Sequence, residues 1–303
     1  MALTEQQILA QNRWWSDPTW READPHLALL QAQPARLTAD FVSELNLGEP
    51  GIHVLRGPRQ VGKSTDLKLL VERTLGEGAA PRSVVYLALD LLEDQALGDF
   101  ATSVQRAVEL AGETGSRGLV LLDEVTAVRG WQTAVKALWD QGTLREHVVV
   151  CTGSSAIDLQ RGAAERLPGR RGAGADHLAL PQSFAAFAHA LDARLPLSPD
   201  LTVAELCTAD GAALLRETRV HGPALQAALG RYLRFGGLPA AVAEAIEGAR
   251  EPSERVKRVL EDSLIRELQR RGASVTAARA LLERVVRSLG SKISWSRMAR
   301  EMD

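Results

Sequence analysis

Gly57-Pro58-Arg59-Gln60-Val61-Gly62-Lys63-Ser64 is a complete G-x-x-x-x-G-K-S phosphate loop, and its setting decides the fold. The apolar run Gly51-Ile52-His53-Val54-Leu55 leads into it as a strand. Thr65-Asp66-Leu67-Lys68-Leu69-Leu70-Val71-Glu72 leads out of it as a helix. Strand, glycine loop and helix N-terminus make an anion cradle, because backbone N–H groups and the helix dipole both point at a bound phosphate. In such a loop Lys63 reaches the β- and γ-phosphates and the Ser64 hydroxyl sits on Mg²⁺. Gly57, Pro58, Arg59, Gln60, Val61, Gly62 and Thr65 complete the binding stretch. The expected ligand is a nucleoside triphosphate.

A β/α alternation runs outward from this loop. Ser83 to Asp90, Gly118 to Leu122 and His147 to Thr152 read as further buried strands, and His177-Leu178-Ala179-Leu180 as a short fifth. Helices are expected between them, at Phe100 to Ala111 and Trp131 to Trp139. Continuous apolar strands separated by helical patterns indicate a parallel sheet covered on both faces. After Pro181 the strand signals stop and helical periodicity takes over. The organisation read from this is a helical lead-in at 1–50, an α/β nucleotide-binding domain at 51–190 and helical regions at 191–272 and 273–303. The lead-in holds Trp14, Trp15 and Trp20, half of all the tryptophans, and packing against the core is their expected role.

A second motif narrows the chemistry. Leu119-Val120-Leu121-Leu122 ends in Asp123-Glu124. A buried strand there delivers Asp123 beside the loop, where it holds the Mg²⁺ hydration shell together with Ser64. Glu124, one residue on, projects towards the γ-phosphate, where it can orient or deprotonate a water. Val148-Val149-Val150 then runs into Cys151-Thr152-Gly153-Ser154-Ser155, a strand end carrying small hydroxyls where ligands sit in open α/β sheets. Thr152, with Ser154 as the alternative, is the candidate to sense the γ-phosphate or the attacking water.

These motifs, in this order, resemble the AAA-type bacterial and archaeal P-loop ATPases that are often followed by a C-terminal domain of unknown function. The similarity is carried by Asn12-Arg13-Trp14-Trp15, by Leu55 to Ser64, and by Leu122 to Val125 with Trp131 and Lys136. It continues through Thr152 to Ser155, Leu167 to Arg170, Leu180 to Phe184 and Tyr232 to Pro239. The resemblance implies an ASCE/AAA+ type P-loop NTPase fold, a parallel sheet sandwiched by helices and followed by the lid and a partial winged helix. It also implies that Arg170 acts as an arginine finger, worth on the order of 10³–10⁵ in rate. Arg161 and Arg171 are neighbours able to substitute, and a finger acting in trans would require a homo-oligomer. Gly236-Gly237-Leu238-Pro239 is similar to the element that sets the lid against adenine, with Pro239 at the base. Two departures from the family pattern, Gln182 for a leucine and Arg266-Glu267 for arginine–aspartate, leave the nucleotide site intact.

Composition excludes other classes. A net charge of −2 gives no electrostatic reason to expect DNA or a membrane surface as partner. Cys151 and Cys207 lie far apart, without zinc-ligand spacing, as fits a reducing cytosol. No signal-peptide core opens the chain, which reads as cytoplasmic. The segment Leu281 to Leu289 with Ile293 to Ala299 is similar to the first helices of a winged helix, and the sequence stops at Asp303 before a recognition helix. The expected function is therefore Mg²⁺-dependent ATP binding and hydrolysis driving a conformational switch. The alternative is a slow, nucleotide-gated module acting on DNA or a protein partner through the C-terminal region.

Overall fold

The computed structural model describes all residues except 35–40, 93, 113–116, 155–170, 196–201, 271, 289, 293, 295, 297–299 and 301–303, and describes no side chain at 44, 171–175 or 270. Five parallel strands form one sheet: β1 (Gly51–Arg56), β2 (Val84–Ala88), β3 (Leu119–Asp123), β4 (Val148–Gly153) and β5 (Arg171–Leu178). Their order is β2-β3-β4-β1-β5. Strand β4 therefore separates the phosphate-loop strand β1 from the acid-bearing strand β3. Every residue of β3 and β4 is buried, which is why both read as unbroken apolar runs.

Helices cover both faces. The loop runs into α3 (Lys63–Gly76), which packs with α2 (Pro25–Gln31). Helix α4 (Leu97–Ala111) packs with α5 (Trp131–Asp140) and with α1 (Glu5–Gln11). Asp24 caps α2 by accepting from the N–H groups of His26 and Leu27, with Pro25 in the first turn. After the sheet come α6 (Phe184–Leu191), α7 (Ala209–Thr218), α8 (Gly222–Phe235) and α9 (Pro239–Ile246).

The fifth strand differs from its expectation. It occupies Arg171–Leu178 rather than 177–180, and its register against β1 shifts between Ile52 and Val54. At the sheet edge, pairing on one side suffices, so a run as polar and glycine-rich as Arg171-Gly172-Ala173-Gly174-Ala175-Asp176 can be a strand without an apolar signature.

The chain divides into two compact units, Met1–Arg250 and Glu251–Asp303. In the second, α10 (Glu254–Arg270) pairs with α11 (Val275–Arg287), helped by an Arg279–Glu261 ion pair at 3.1 Å. Gly272, at φ +90, makes the turn between them, and Ser274 caps α11. No helix among the described residues is long and apolar enough to cross a membrane.

Candidate nucleotide site

The two glycines of the loop answer to different constraints. Gly62 has φ +109 and leads directly into α3, a left-handed position that glycine takes without strain. Gly57 instead meets the segment after β5 so closely that a Cβ there would stand 2.2 Å from the Ala179 carbonyl oxygen. The Ala179 N–H in turn donates to the Arg56 carbonyl at 2.8 Å, tying the loop's entry to that segment. Lys63 is buried, and its ammonium donates to the Gly57 and Pro58 carbonyls at 3.0 and 2.9 Å. Burial pushes the Lys63 ammonium below its ordinary pKa, while Glu124 and Asp123 act in the opposite direction.

Both acids are held by neighbouring strands. The buried Asp123 carboxylate accepts from the Tyr86 hydroxyl of β2 on Oδ2 at 2.9 Å and from the Thr152 hydroxyl of β4 on Oδ1. The same Thr152 oxygen accepts from the Glu124 N–H at 3.1 Å, and the Ser154 N–H donates to Glu124 Oε2 at 3.2 Å. Glu124 itself has φ +53. A non-glycine residue in this left-handed region carries about 1–2 kcal/mol of backbone strain, of the kind that collects at functional sites. It turns the chain sharply out of β3, closing with an Ala127 N–H to Glu124 carbonyl bond at 2.9 Å.

A cavity of about 540 Å³ opens over these elements, within the range usual for cofactor sites. Gln60, Gly62, Lys63, Ser64, Thr65 and Asp66 form its floor, with Glu124 beside them. Pro239 and Ala240 contribute from the start of α9. The remaining wall is His26, Leu29, Leu30 and Gln33, from α2 and the turn after it.

Residues 49–187 match the family model described as an AAA domain. Over that stretch the chain is similar to an AAA domain. An uncharacterized protein of Haemophilus influenzae is 31% identical over 139 residues, which cover 46% of this chain and 33% of that protein. Among solved structures, C. elegans PCH-2 is similar with 15% identity and a TM-score of 0.41, over 83% of this chain and 72% of that one. The Aeropyrum pernix ORC2 protein, solved as ADPNP–ADP complexes, is similar with 14% identity and a TM-score of 0.42, over 91% and 78%.

The donor set of this site suits Mg²⁺. That ion prefers one or two carboxylates plus substrate phosphates to an all-protein cage. Among the described residues no three His, Cys, Asp or Glu side chains converge on a metal position, whereas the buried carboxylate of Asp123 ends β3, one strand removed from the strand that leads into the loop carrying Ser64. Glu124 lines the cavity together with the loop, and Asp123 precedes it at the end of β3.

Other expected site residues divide plainly. Gln60, Gly62, Lys63, Ser64, Thr65, Glu124 and Pro239 line one cavity, and Gly57 and Pro58 hold Lys63 from behind. Arg59 is half-buried and Val61 buried. Thr152 is wholly buried, and its hydroxyl is spent on Asp123 and Glu124. Arg170, Arg161 and Ser155 lie outside the described residues. Gly237 packs against the Gln182 backbone, where the Gln182 N–H donates to the Gly237 carbonyl at 2.8 Å and the Tyr232 hydroxyl to the Gln182 carbonyl at 2.9 Å. Pro239, two residues on, is thereby fixed at the cavity edge.

Two groups of residues escaped the sequence reading. The α2 wall carries no motif and is recognisable only once the helix is folded over the loop. Tyr86 did leave a signal, a phenol in an otherwise aliphatic buried strand, since a buried tyrosine hydroxyl needs a partner.

Proposed function

We propose that this protein binds Mg²⁺–ATP in the 540 Å³ cavity and hydrolyses it to ADP and phosphate, using the energy to switch conformation. The observation that carries this reading is the convergence of the phosphate loop with an Asp123-Glu124 pair gripped by the adjacent strand. A binding loop alone needs no such pair. Lys63 exchanges its carbonyl contacts for the β- and γ-phosphates, a trade helped by an ammonium already stripped of water. Ser64 and Asp123 are the residues that hold Mg²⁺, which when bound offsets the negative charge on the phosphate oxygens.

Glu124 accepts the proton of the attacking water as its oxygen bonds to the γ-phosphorus and the bond to the β-phosphate oxygen breaks. The Ser154 N–H keeps that carboxylate in one rotamer, and Thr152 acts by fixing the spacing of the two acids. Arg170 is proposed as the finger on the transferring phosphate, supplied by a neighbouring copy of the chain. Pro239 and α2 frame the base, so that the nucleotide state is transmitted to the helices after the sheet. Loss of the γ-phosphate removes one of the ligands gathered by the loop, and this differential contact drives the switch.

Glu124→Gln tests the reading. The amide oxygen still accepts from Ser154, so ATP binding is expected to persist while phosphate release falls on the order of 10²-fold or more. A variant that releases phosphate at the parental rate would remove Glu124 from the mechanism. A parent that binds ATP without turnover would leave a binding module instead of an enzyme.

A further inference from the structure

Three separately coded pieces of the chain meet at Tyr86. Its β2 backbone is gripped by one side chain from the lead-in: Tyr86 N–H donates to Asn12 Oδ1 at 2.7 Å, and Asn12 Nδ2 donates to the Tyr86 carbonyl at 2.9 Å. Its ring lies under the Lys68 ammonium of α3, 3.6 Å from the centroid. Lys68 is anchored in turn by Asp24 at 3.6 Å and lies 5.0 Å from the Trp14 ring. Register places Ala88 opposite Asp123, so Tyr86, two residues earlier on β2, presents its side chain on the same face as that partner position. Its hydroxyl reaches Asp123 Oδ2.

We propose that Tyr86 is a positioning residue for the Asp123 carboxylate, and that the N-terminal lead-in acts on the metal position through it. Thr152 alone would leave the carboxylate free to swing about one oxygen. With a hydroxyl donor on each oxygen its plane is fixed, and each oxygen keeps a further lone pair for a metal-bound water. Hydrogen-bonded supports of a metal carboxylate tune affinity without touching the ion. The inference rests on the assignment of Asp123 to Mg²⁺ made above.

The competing account is that Asp123 merely satisfies a buried phenol. The two differ in what Tyr86→Phe does, since phenylalanine keeps the ring under Lys68 and removes only the donor. Binding of a fluorescent ATP analogue to the full chain, first in EDTA and then along a Mg²⁺ titration, reads this without requiring turnover. Tyr86→Phe is expected to bind as the parent does in EDTA and to need about 10-fold more Mg²⁺ for half-maximal strengthening. Lys68→Met, which keeps the hydroxyl and loosens the ring, should shift the titration in the same direction by less. An unchanged Mg²⁺ titration in Tyr86→Phe overturns the inference, as does an equal loss of affinity in EDTA. If the parent's own affinity ignores Mg²⁺, the metal assignment falls and this inference falls with it. If the parent responds and Tyr86→Phe matches it, only the inference falls.

Discussion

Gly237→Ala is the sharpest probe of the element between the sheet and the later helices. A Cβ at Gly237 would stand 2.2 Å from the Gln182 carbonyl oxygen, 2.8 Å from its nitrogen and 3.0 Å from its carbonyl carbon. All three are backbone atoms, so no side-chain rotation relieves the clash. Even a tight contact of ~3.2 Å requires the two segments to part by roughly 1 Å. The Gln182 N–H to Gly237 carbonyl bond, now 2.8 Å, would then exceed hydrogen-bonding range, and the Tyr232 hydroxyl bond to the Gln182 carbonyl would be strained. Overpacking of this kind costs about 1–3 kcal/mol, or several degrees of melting temperature for a unit of this size. Because Pro239 and Ala240 follow immediately and line the cavity, nucleotide affinity should weaken about 3- to 10-fold alongside. Gly230→Ala is the control: it lies inside α8, with nothing within 4 Å of the added methyl, and should instead stabilise by about 0.5–1 kcal/mol. Thermal melts and nucleotide titrations on both variants decide the matter. A Gly237→Ala protein that melts and binds like its parent would refute the clasp.

Asn12→Leu tests the lead-in's hold on the sheet. The buried Tyr86 N–H and carbonyl both lose their partner, for an expected cost of about 2–4 kcal/mol in urea unfolding; a loss below about 0.5 kcal/mol would contradict the assigned role. Lys68 gives a pH prediction. Burial lowers its pKa from 10.5 to about 8, against the pull of Asp24 and Asp123 and with a minor contribution from Arg13. Between those values the unfolded chain holds a proton that the folded protein lacks, so this group makes stability rise with pH, by about 1.5 kcal/mol from pH 8 to 9.5. Tyr86, whose pKa burial raises well above 10, contributes in the opposite sense only at higher pH. Denaturant unfolding across that window should show the rise in the parent and lose it in Lys68→Met; equal slopes in the two proteins would contradict it.

The phosphate loop and the acid pair were legible because each is a local pattern with a fixed spacing. Gly57 to Ser64 needs no distant residue to be recognised, and β3 and β4 advertise themselves by burial on both faces. What stayed hidden depends on contacts made far along the chain. Most of β5 carries no apolar signal because an edge strand is held by its backbone. The Tyr86 bond joins residues 37 positions apart, the α2 wall precedes the loop it faces by 27 positions or more, and only the folded chain sets them side by side. Thr152 shows the limit of reading a role from type and place. A hydroxyl at a strand end suits a phosphate, yet here the two acids occupy it from both sides.

The tryptophans of the lead-in were expected to pack, and they do, but they also close the edge of the sheet. The outer side of β2 would otherwise present unpaired backbone groups to any passing strand. Side chains replace the missing strand: the Trp14 and Trp15 indoles both donate to the Val84 carbonyl, at 3.0 and 2.8 Å, Asn12 takes both groups of Tyr86, and Gln11 Oε1 accepts from Ala88 at 2.7 Å. A true sixth strand would have covered the same edge with a register free to slip by two residues. Four side chains of different shape allow one register only. Since the strand so fixed is the one whose tyrosine meets Asp123, the arrangement that protects the edge also sets the depth at which that carboxylate is held.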